Sequence, residues 1–466
     1  MADVAIKCDP ATGTSGEDIL EQTLAAGRGR PEMGVWYMTT LLSLSILVSY
    51  LDRGIIAVLV PYLKQAFALD DVRISMLQGF SFSVPFALAS LPVGRLVDRY
   101  NRRNIIIAGI LFWSVSTMMC GLAGSYWQLF AARSGIGIGE ACLMPAAYSL
   151  VADSFRSGQR GRALSILSVA TAVGGGTSKV LGGALLTLWH GTDVVHLPLL
   201  GPVEMWRAVF LVTGLPGFFV ALLMLLMREP RRIAPAATQA GVGDFAAHVL
   251  RHWRLFVPLY LAFAAVFFFS YGSVLWSPTV LSRIYGYPPG TAGMTSGAIQ
   301  LACSIFGTIV AGVVGDMLIN RDARHGRLRV WLLGLVPVLA AALFLALPGA
   351  HFYMTGFALT ILATGLLTGV SYPALYDVVS PGMRGRSLAV YLFLANVFGI
   401  GGGSFGIALI TAHLFADEQA LNRSVAIAVG GAAVFSALMI LIALRRYERV
   451  RLEFQEENAL AVTGRH

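Results

Sequence analysis

The sequence predicts an all-α integral membrane protein, with twelve transmembrane helices in two six-helix bundles related by pseudo-two-fold symmetry. Three observations carry this. The residues are 56% hydrophobic and only 13% charged, against roughly a quarter charged in a soluble domain. Twelve apolar runs each approach the ~20 residues that a bilayer crossing needs. The landmarks of the first six runs recur in the last six.

In chain order the runs lie near 35–62, 74–96, 104–124, 127–152, 162–188 and 207–227, then near 255–284, 292–317, 329–348, 352–378, 387–413 and 422–444. Residues 1–33 mix acids with Gly and Arg and lack the basic-then-apolar order of a cleaved signal; they read as a cytoplasmic tail. The division that follows is a first bundle at 34–228, a linker at 229–254, a second bundle at 255–445 and a tail at 446–466.

A formal net charge of +9 invites a nucleic-acid reading, and the location of the charge excludes it. Roughly 25 of the 34 Lys and Arg fall in alternate loops or the tails, which is the positive-inside asymmetry. It places both termini in the cytoplasm; the expectation for the protein is a monomer in the lipid bilayer of a bacterial inner membrane. Cys8, Cys120, Cys142 and Cys303 are scattered and lack metal-type spacing. No metal, cofactor or disulfide framework is expected.

The duplication is legible at the helix ends. Arg160-Gly161-Arg162 opens the fifth run and Arg384-Gly385-Arg386 the eleventh. Asp153 and Asp377 each stand seven residues earlier, and Gly174-Gly175-Gly176 and Gly401-Gly402-Gly403 follow. Gly94-x-x-x-Asp98 with Arg99, Arg102 and Arg103 has its counterpart in Gly312-x-x-x-Asp316 with Arg321, Arg324 and Arg327. Duplicated bundles with a site at their interface near the midplane are a transporter architecture. Any one of these arginines is accounted for by topology, but a carboxylate at a helix C-terminus opposes the helix dipole and needs a neighbouring cation. Asp98 with Arg102 or Arg103 is therefore a candidate cytoplasmic latch, and Asp153, Arg160, Asp316, Asp377 and Arg384 join it as gate candidates.

Charge inside a span costs at least about 2.5–3.5 kcal/mol at the helix centre, so each instance is a functional candidate. The first bundle has five: Asp52, Arg53, Arg133, Glu140 and Lys179; the second has none well inside a run. At about 1.5 Å rise per residue, Arg53 lies roughly 24 Å above the cytoplasmic start of the first run. Arg133 and Glu140 lie roughly 9 and 20 Å below the external start of the fourth, on one helix face. A four-charge cluster between these two helices fits this spacing. Two readings stay open. One is a structural ion pair, Asp52–Arg133 or Arg53–Glu140, that serves packing. In the other, an arginine holds an anionic headgroup bidentately while Glu140 exchanges a proton as the site opens to either side. The second bundle offers Phe263, Phe267, Phe268, Phe269, Tyr271, Trp276, Tyr372, Tyr376 and Tyr391 instead. Of these, Phe263, Phe267, Tyr271, Trp276, Tyr372 and Tyr391 are candidates for an apolar cavity wall. A cavity with charge on one wall and apolar surface on the other suits an amphiphile.

Gly94-Arg95-Leu96-Val97-Asp98-Arg99 with Arg102 and Arg103 resembles the loop between helices two and three of the major facilitator superfamily, and Arg133-Ser134-Gly135-Ile136-Gly137 resembles its helix-four motif. Tyr50-Leu51-Asp52-Arg53 with Gly137-Ile138-Gly139-Glu140-Ala141 is similar to the spinster branch, which moves lysolipids and sphingoid phosphates. The Asp-Arg pair also resembles that of organic-anion symporters. The resemblance implies that Asp52 and Arg53 couple gating to binding, that Glu140 is protonated in turnover, and that Arg133 joins their cluster. In the fifth run Gly174 and Gly182-Gly183 match the superfamily's antiporter motif, but Ser178-Lys179 replaces the expected Gly-Pro. Lys179 can snorkel, pair with an acid, meet a phosphate or tether two helices.

Two other classes are weaker. Gly402-Gly403-Ser404-Phe405-Gly406 spells a hydrolase motif, but on a glycine-rich span where small residues serve helix packing, not at a strand-to-helix elbow. A non-transporting sensor is expected to carry a signalling domain. The sequence therefore reads as a non-enzymatic, proton-coupled secondary transporter that works by alternating access. Its substrate is an amphiphilic lipid or, as the alternative, a small organic anion. Glu140 and Asp52 are the protonation candidates, with Arg53, Arg133 and Lys179 as headgroup or gating cations.

Overall fold

The computed structural model describes residues 32–155, 157–189, 192, 194–197, 201–230, 232, 242–321 and 326–463. Among them, 12 helices are long and apolar enough to cross a membrane. Spans 1 to 6 are Gly34–Phe67, Asp71–Arg99, Arg102–Leu122, Tyr126–Ser154, Gln159–Leu188 and Met205–Leu225. Spans 7 to 12 are Trp253–Arg283, Pro289–Val310, Arg327–Ala346, Ala350–Tyr376, Arg384–Phe415 and Glu418–Leu452. Each predicted run falls on one of them. Consecutive spans alternate in direction, so the start of span 1, the segment between spans 6 and 7 and the end of span 12 share one face of the protein. That face is the linker face, and the opposite one the far face.

Two features depart from the expected outline. The helix of span 12 continues to Thr463, beyond the boundary expected at 445. Tyr447, just past that boundary, is buried, and its one hydroxyl proton is shared between the Ala374 carbonyl at 3.0 Å and Asp377 Oδ2 at 2.9 Å. Between spans 5 and 6, β1 (Val194–Leu197) and β2 (Gly201–Glu204) pair antiparallel in a far-face hairpin within an otherwise helical chain.

Several spans are interrupted where the chemistry lies. Span 4 breaks at Ala141 and Cys142, directly after Glu140. Pro145, four residues beyond Ala141, has no N–H for that carbonyl and its ring crowds it. Span 1 breaks at Ile55, two residues after Arg53. Gly54, just before the break, has no room for a side chain, since a Cβ there would collide with Ser178 of span 5. Span 11 winds as π-helix over Ala395–Gly402 and Ile410–Phe415.

The two bundles meet on the far side. A Cβ on Gly176 of span 5 would lie 2.6 Å from the Leu301 nitrogen and 2.7 Å from the Gly297 oxygen of span 8. On Gly79 of span 2 it would lie 2.6 Å from the Ile400 oxygen of span 11. Missing side chains let these backbones touch. Toward the linker face the same spans carry exposed apolar side chains, among them Leu91, Val169, Phe306 and Phe393.

The duplication extends to ion pairs. Arg102 at the start of span 3 binds Asp153 at the end of span 4, and Arg327 at the start of span 9 binds Asp377 at the end of span 10.

Candidate substrate and coupling site

Four charged side chains from spans 1 and 4 converge midway through the first bundle, and the structure selects one of the two pairings the spacing allowed. Arg53 is ion-paired with Glu140 through Nη2 and Oε2. The same carboxylate oxygen accepts from the Ser49 hydroxyl, one helical turn before Arg53, at 2.7 Å. Arg53 also stacks among three rings, 4.4 Å from the centroid of Phe82, 4.8 Å from Tyr50 and 5.5 Å from Phe86. Cation–π contact of this kind holds a guanidinium in place without neutralising it.

Asp52 and Arg133 are not an ion pair. Asp52 is fully buried and neither of its oxygens has a hydrogen-bond partner. The Thr117 hydroxyl lies beside it but gives its proton to the Trp113 carbonyl at 3.0 Å. Arg133 is equally buried; its Nε donates to the Leu77 carbonyl at 3.0 Å, while Nη1 and Nη2 have no partner. Leu77 stands just ahead of the break at Gly79 in span 2. The cluster thus combines one closed pair with an unpartnered carboxyl and a half-used guanidinium.

Lys179 of span 5 stands apart from this cluster and tethers the halves. Its Nζ donates to the Val274 carbonyl at 2.5 Å and to Ser277 Oγ at 3.3 Å, both on span 7, and lies 5.5 Å from the Phe357 ring centroid.

The aromatic candidates divide in two. Phe267, Tyr271, Tyr372 and Tyr391 form a connected patch, with Tyr391 5.5 Å from Phe267 and 5.2 Å from Tyr372, and Phe267 6.1 Å from Tyr271. Tyr372 is 37% exposed, and Tyr271 is within electrostatic reach of Tyr50 and Arg53 across the bundle interface. Phe263 and Trp276 are buried, as Tyr391 is, and Phe263 adjoins the patch 5.6 Å from Tyr391. Phe263 packs 4.6 Å from Trp331, and the Trp276 ring N–H donates to the Ser404 carbonyl at 3.0 Å. Their ring type gave no way to separate packing from lining. Tyr148 of span 4, also exposed, was not singled out from the sequence; it lies within electrostatic reach of Tyr372 and Tyr376.

At the linker face, Arg102 is buried and binds Glu229 as well as Asp153, with Ser149 accepting from it at 2.9 Å. Arg103 donates to the Met227 carbonyl at 2.9 Å. These contacts fasten helix ends within the first half. Asp98 is exposed, and among the described residues the partner of Arg102 is not Asp98. Arg160 donates to the Phe155 carbonyl at 2.9 Å, and Arg384 lies 5.5 Å from the Tyr376 ring centroid. The side chains of Asp316 and Arg321, and Arg324 altogether, lie outside the described residues.

The far face carries a network that the sequence reading did not foresee. Lys64 binds Asp71 at 2.8 Å and Glu418 at 2.7 Å, and Arg283 binds Asp71 through both terminal nitrogens at 2.6 and 2.8 Å. Lys64 and Asp71 belong to the first half, Arg283 and Glu418 to the second. One signal was available: Lys64 and Arg283 are exceptions to the bias that keeps cations on the other face, and such exceptions call for a partner.

Ser404, the hydrolase candidate, is buried and donates to Gln78 Oε1 at 3.0 Å, and Gln78 donates to the Leu275 carbonyl at 3.4 Å. It serves as a polar bridge between halves.

With this geometry in hand, known proteins give a consistent picture. A sequence profile described as Major Facilitator Superfamily matches residues 42–324. An MFS-type efflux pump of Mycolicibacterium smegmatis is 29% identical over 430 residues, 90% of this chain and 94% of the pump. Human protein spinster homolog 1 is 29% identical over 453 residues, 87% of this chain and 81% of its own. Among solved structures, a bacterial homologue of the human lysosomal transporter spinster, inward-facing and unoccupied, superimposes with a TM-score of 0.72 at 25% identity. The match spans 92% of this chain and 99% of that one.

Proposed function

The chain belongs to the Major Facilitator Superfamily, and from that premise we propose that it moves an amphiphile with an anionic head, a lysolipid or sphingoid phosphate, across the bacterial inner membrane by proton-coupled alternating access. The linker face is then cytoplasmic, both termini lie there, and the protein works as a monomer. The far-face network and the glycine contacts of spans 5 and 8 correspond to the state closed to the outside.

The observation that carries this reading is the Arg53–Glu140 pair opposite the Phe267–Tyr271–Tyr372 patch. A headgroup anion and the Glu140 carboxylate compete for one guanidinium. Protonating Glu140 removes its half of the ion pair and frees Arg53 to hold the head bidentately, while the tail lies along the aromatic wall. Asp52, Arg133 and their unpartnered groups form the second polar layer, where a further proton can be held. Binding that prefers one protonation state of Glu140 ties the conformational equilibrium to the proton gradient, because a ligand shifts an equilibrium only by its differential affinity for the two states. Asp153 and Asp377, each fastening a span 3 or span 9 end, keep each half rigid as the halves rock.

The test is transport in proteoliposomes of a lysophospholipid beside a short-chain organic anion, in wild type and Glu140→Gln, with and without an imposed pH gradient. Lysolipid movement that follows the gradient in wild type and not in Glu140→Gln is the expected result. Movement of the small anion alone would overturn the lipid assignment, and gradient-driven transport in Glu140→Gln would remove Glu140 from the coupling.

A further inference from the structure

Lys179 is buried in the middle of the protein, and both of its hydrogen-bond acceptors are neutral oxygens of the opposite half. The nearer acceptor has a reason to be there. In a continuous helix the Val274 carbonyl would accept from the backbone N–H of residue 278, but that residue is a proline, which has none. Lys179 supplies the missing donor from span 5 at 2.5 Å. The Ser277 hydroxyl donates to the same carbonyl at 3.2 Å, and its oxygen in turn accepts from Lys179 at 3.3 Å. Lys179 is nine residues from the far-face end of its helix, about 14 Å at the helical rise. Gly297 on span 8 makes the crossing feasible, since a Cβ there would come within 2.9 Å of the Lys179 Cβ.

We propose that Lys179 is a state-dependent clasp: it closes the far side by capping the carbonyl that Pro278 leaves bare, and when the halves part it becomes the cation that meets the substrate's anionic head. Both acceptors sit on span 7 and are lost together when span 7 moves away from span 5. The ammonium then has three donors and no acceptor in a cleft of low dielectric, an arrangement that calls for an anion. Arg53 lies on span 1, deeper in the first bundle, so the head is handed from one cation to the other as access alternates. This deepens the proposed function and rests on its anionic-headed substrate, but the clasp itself does not depend on that substrate.

Two variants separate the parts. Lys179→Met removes the ammonium and keeps the stem; Pro278→Ala keeps the ammonium and restores a backbone donor that competes for the Val274 carbonyl. Spin labels at the far-face ends of spans 3 and 9 report the distance between halves without any substrate. Both variants are expected to raise the far-open share about tenfold, the scale of one lost charged contact. At the far face the preference for lysophosphatidic acid over monoacylglycerol, which lacks the phosphate, should fall about tenfold in Lys179→Met and hold in Pro278→Ala, while the raised far-open share strengthens monoacylglycerol binding in both variants alike. Unchanged distances in Lys179→Met overturn the clasp, and unchanged phosphate selectivity overturns the second role. If wild type binds no lysolipid at all, the lipid reading and the second role fail together, and the distances still decide the clasp.

Discussion

The Arg53–Glu140 pair is buried on its acidic side and held on the other by three rings. Removing one partner of a buried pair leaves an uncompensated charge and costs about 3–5 kcal/mol, whereas removing both costs far less. Arg53→Met should therefore lower the thermal midpoint in detergent more than the double variant Arg53→Met/Glu140→Gln does. A double variant as unstable as the sum of the single changes would mean that the two groups do not interact. Asp52 and Arg133 carry a different expectation: with no mutual bond to lose, neutralising Asp52 alone should leave the folded protein intact.

Spans 5 and 8 touch through glycine along the far half of their length. Gly176 has no free space beside it, and its would-be Cβ contacts are two backbone atoms of the other half and the Leu301 Cβ, which cannot swing aside. Gly176→Val should thus hold the two helices apart and bias the protein toward the far-open state. Faster thiol labelling of a cysteine introduced in the far-face cleft is the expected readout, and slower labelling would show that the helices separate along another line. The interruption of span 4 belongs to the same scale. Pro145 bends the helix just beyond Glu140, so the carboxylate meets Ser49 and Arg53 of span 1 at the point where that helix is itself broken.

For the molecule as a whole, the far-face network ties the connection between spans 1 and 2 to the end of span 7 and the start of span 12. Asp71 is its centre, 4% exposed, gripped by Lys64 and bidentately by Arg283. Glu418 is more than half exposed, and exposed ion pairs contribute about 0–1 kcal/mol. Asp71→Asn is therefore expected to raise far-face accessibility about tenfold or more, the scale of a buried pair lost. Glu418→Gln should change it little. Equal effects of the two substitutions on the spacing between halves would show that burial does not set the strength of this latch.

The sequence by itself determined the number and order of the spans, the duplication of the six-helix unit and the confinement of intramembrane charge to the first half. Each follows from composition and periodicity along the chain: apolar length answers to bilayer thickness, and repeats survive as residues at helix ends. It also singled out Asp52, Arg53, Arg133 and Glu140 as the candidate coupling cluster, because charge in a span is costly. Only the tertiary structure decided that Arg53 and not Asp52 meets its partner across the helices, that Arg102 serves Asp153, that Lys179 caps a carbonyl bared by Pro278, and that Lys64 meets Glu418 across 354 residues. Helix rise fixes depth in the membrane but leaves the rotation and tilt of each helix undetermined. Those are set by packing against the others, here by glycines, prolines and broken turns whose partners lie far away in the chain.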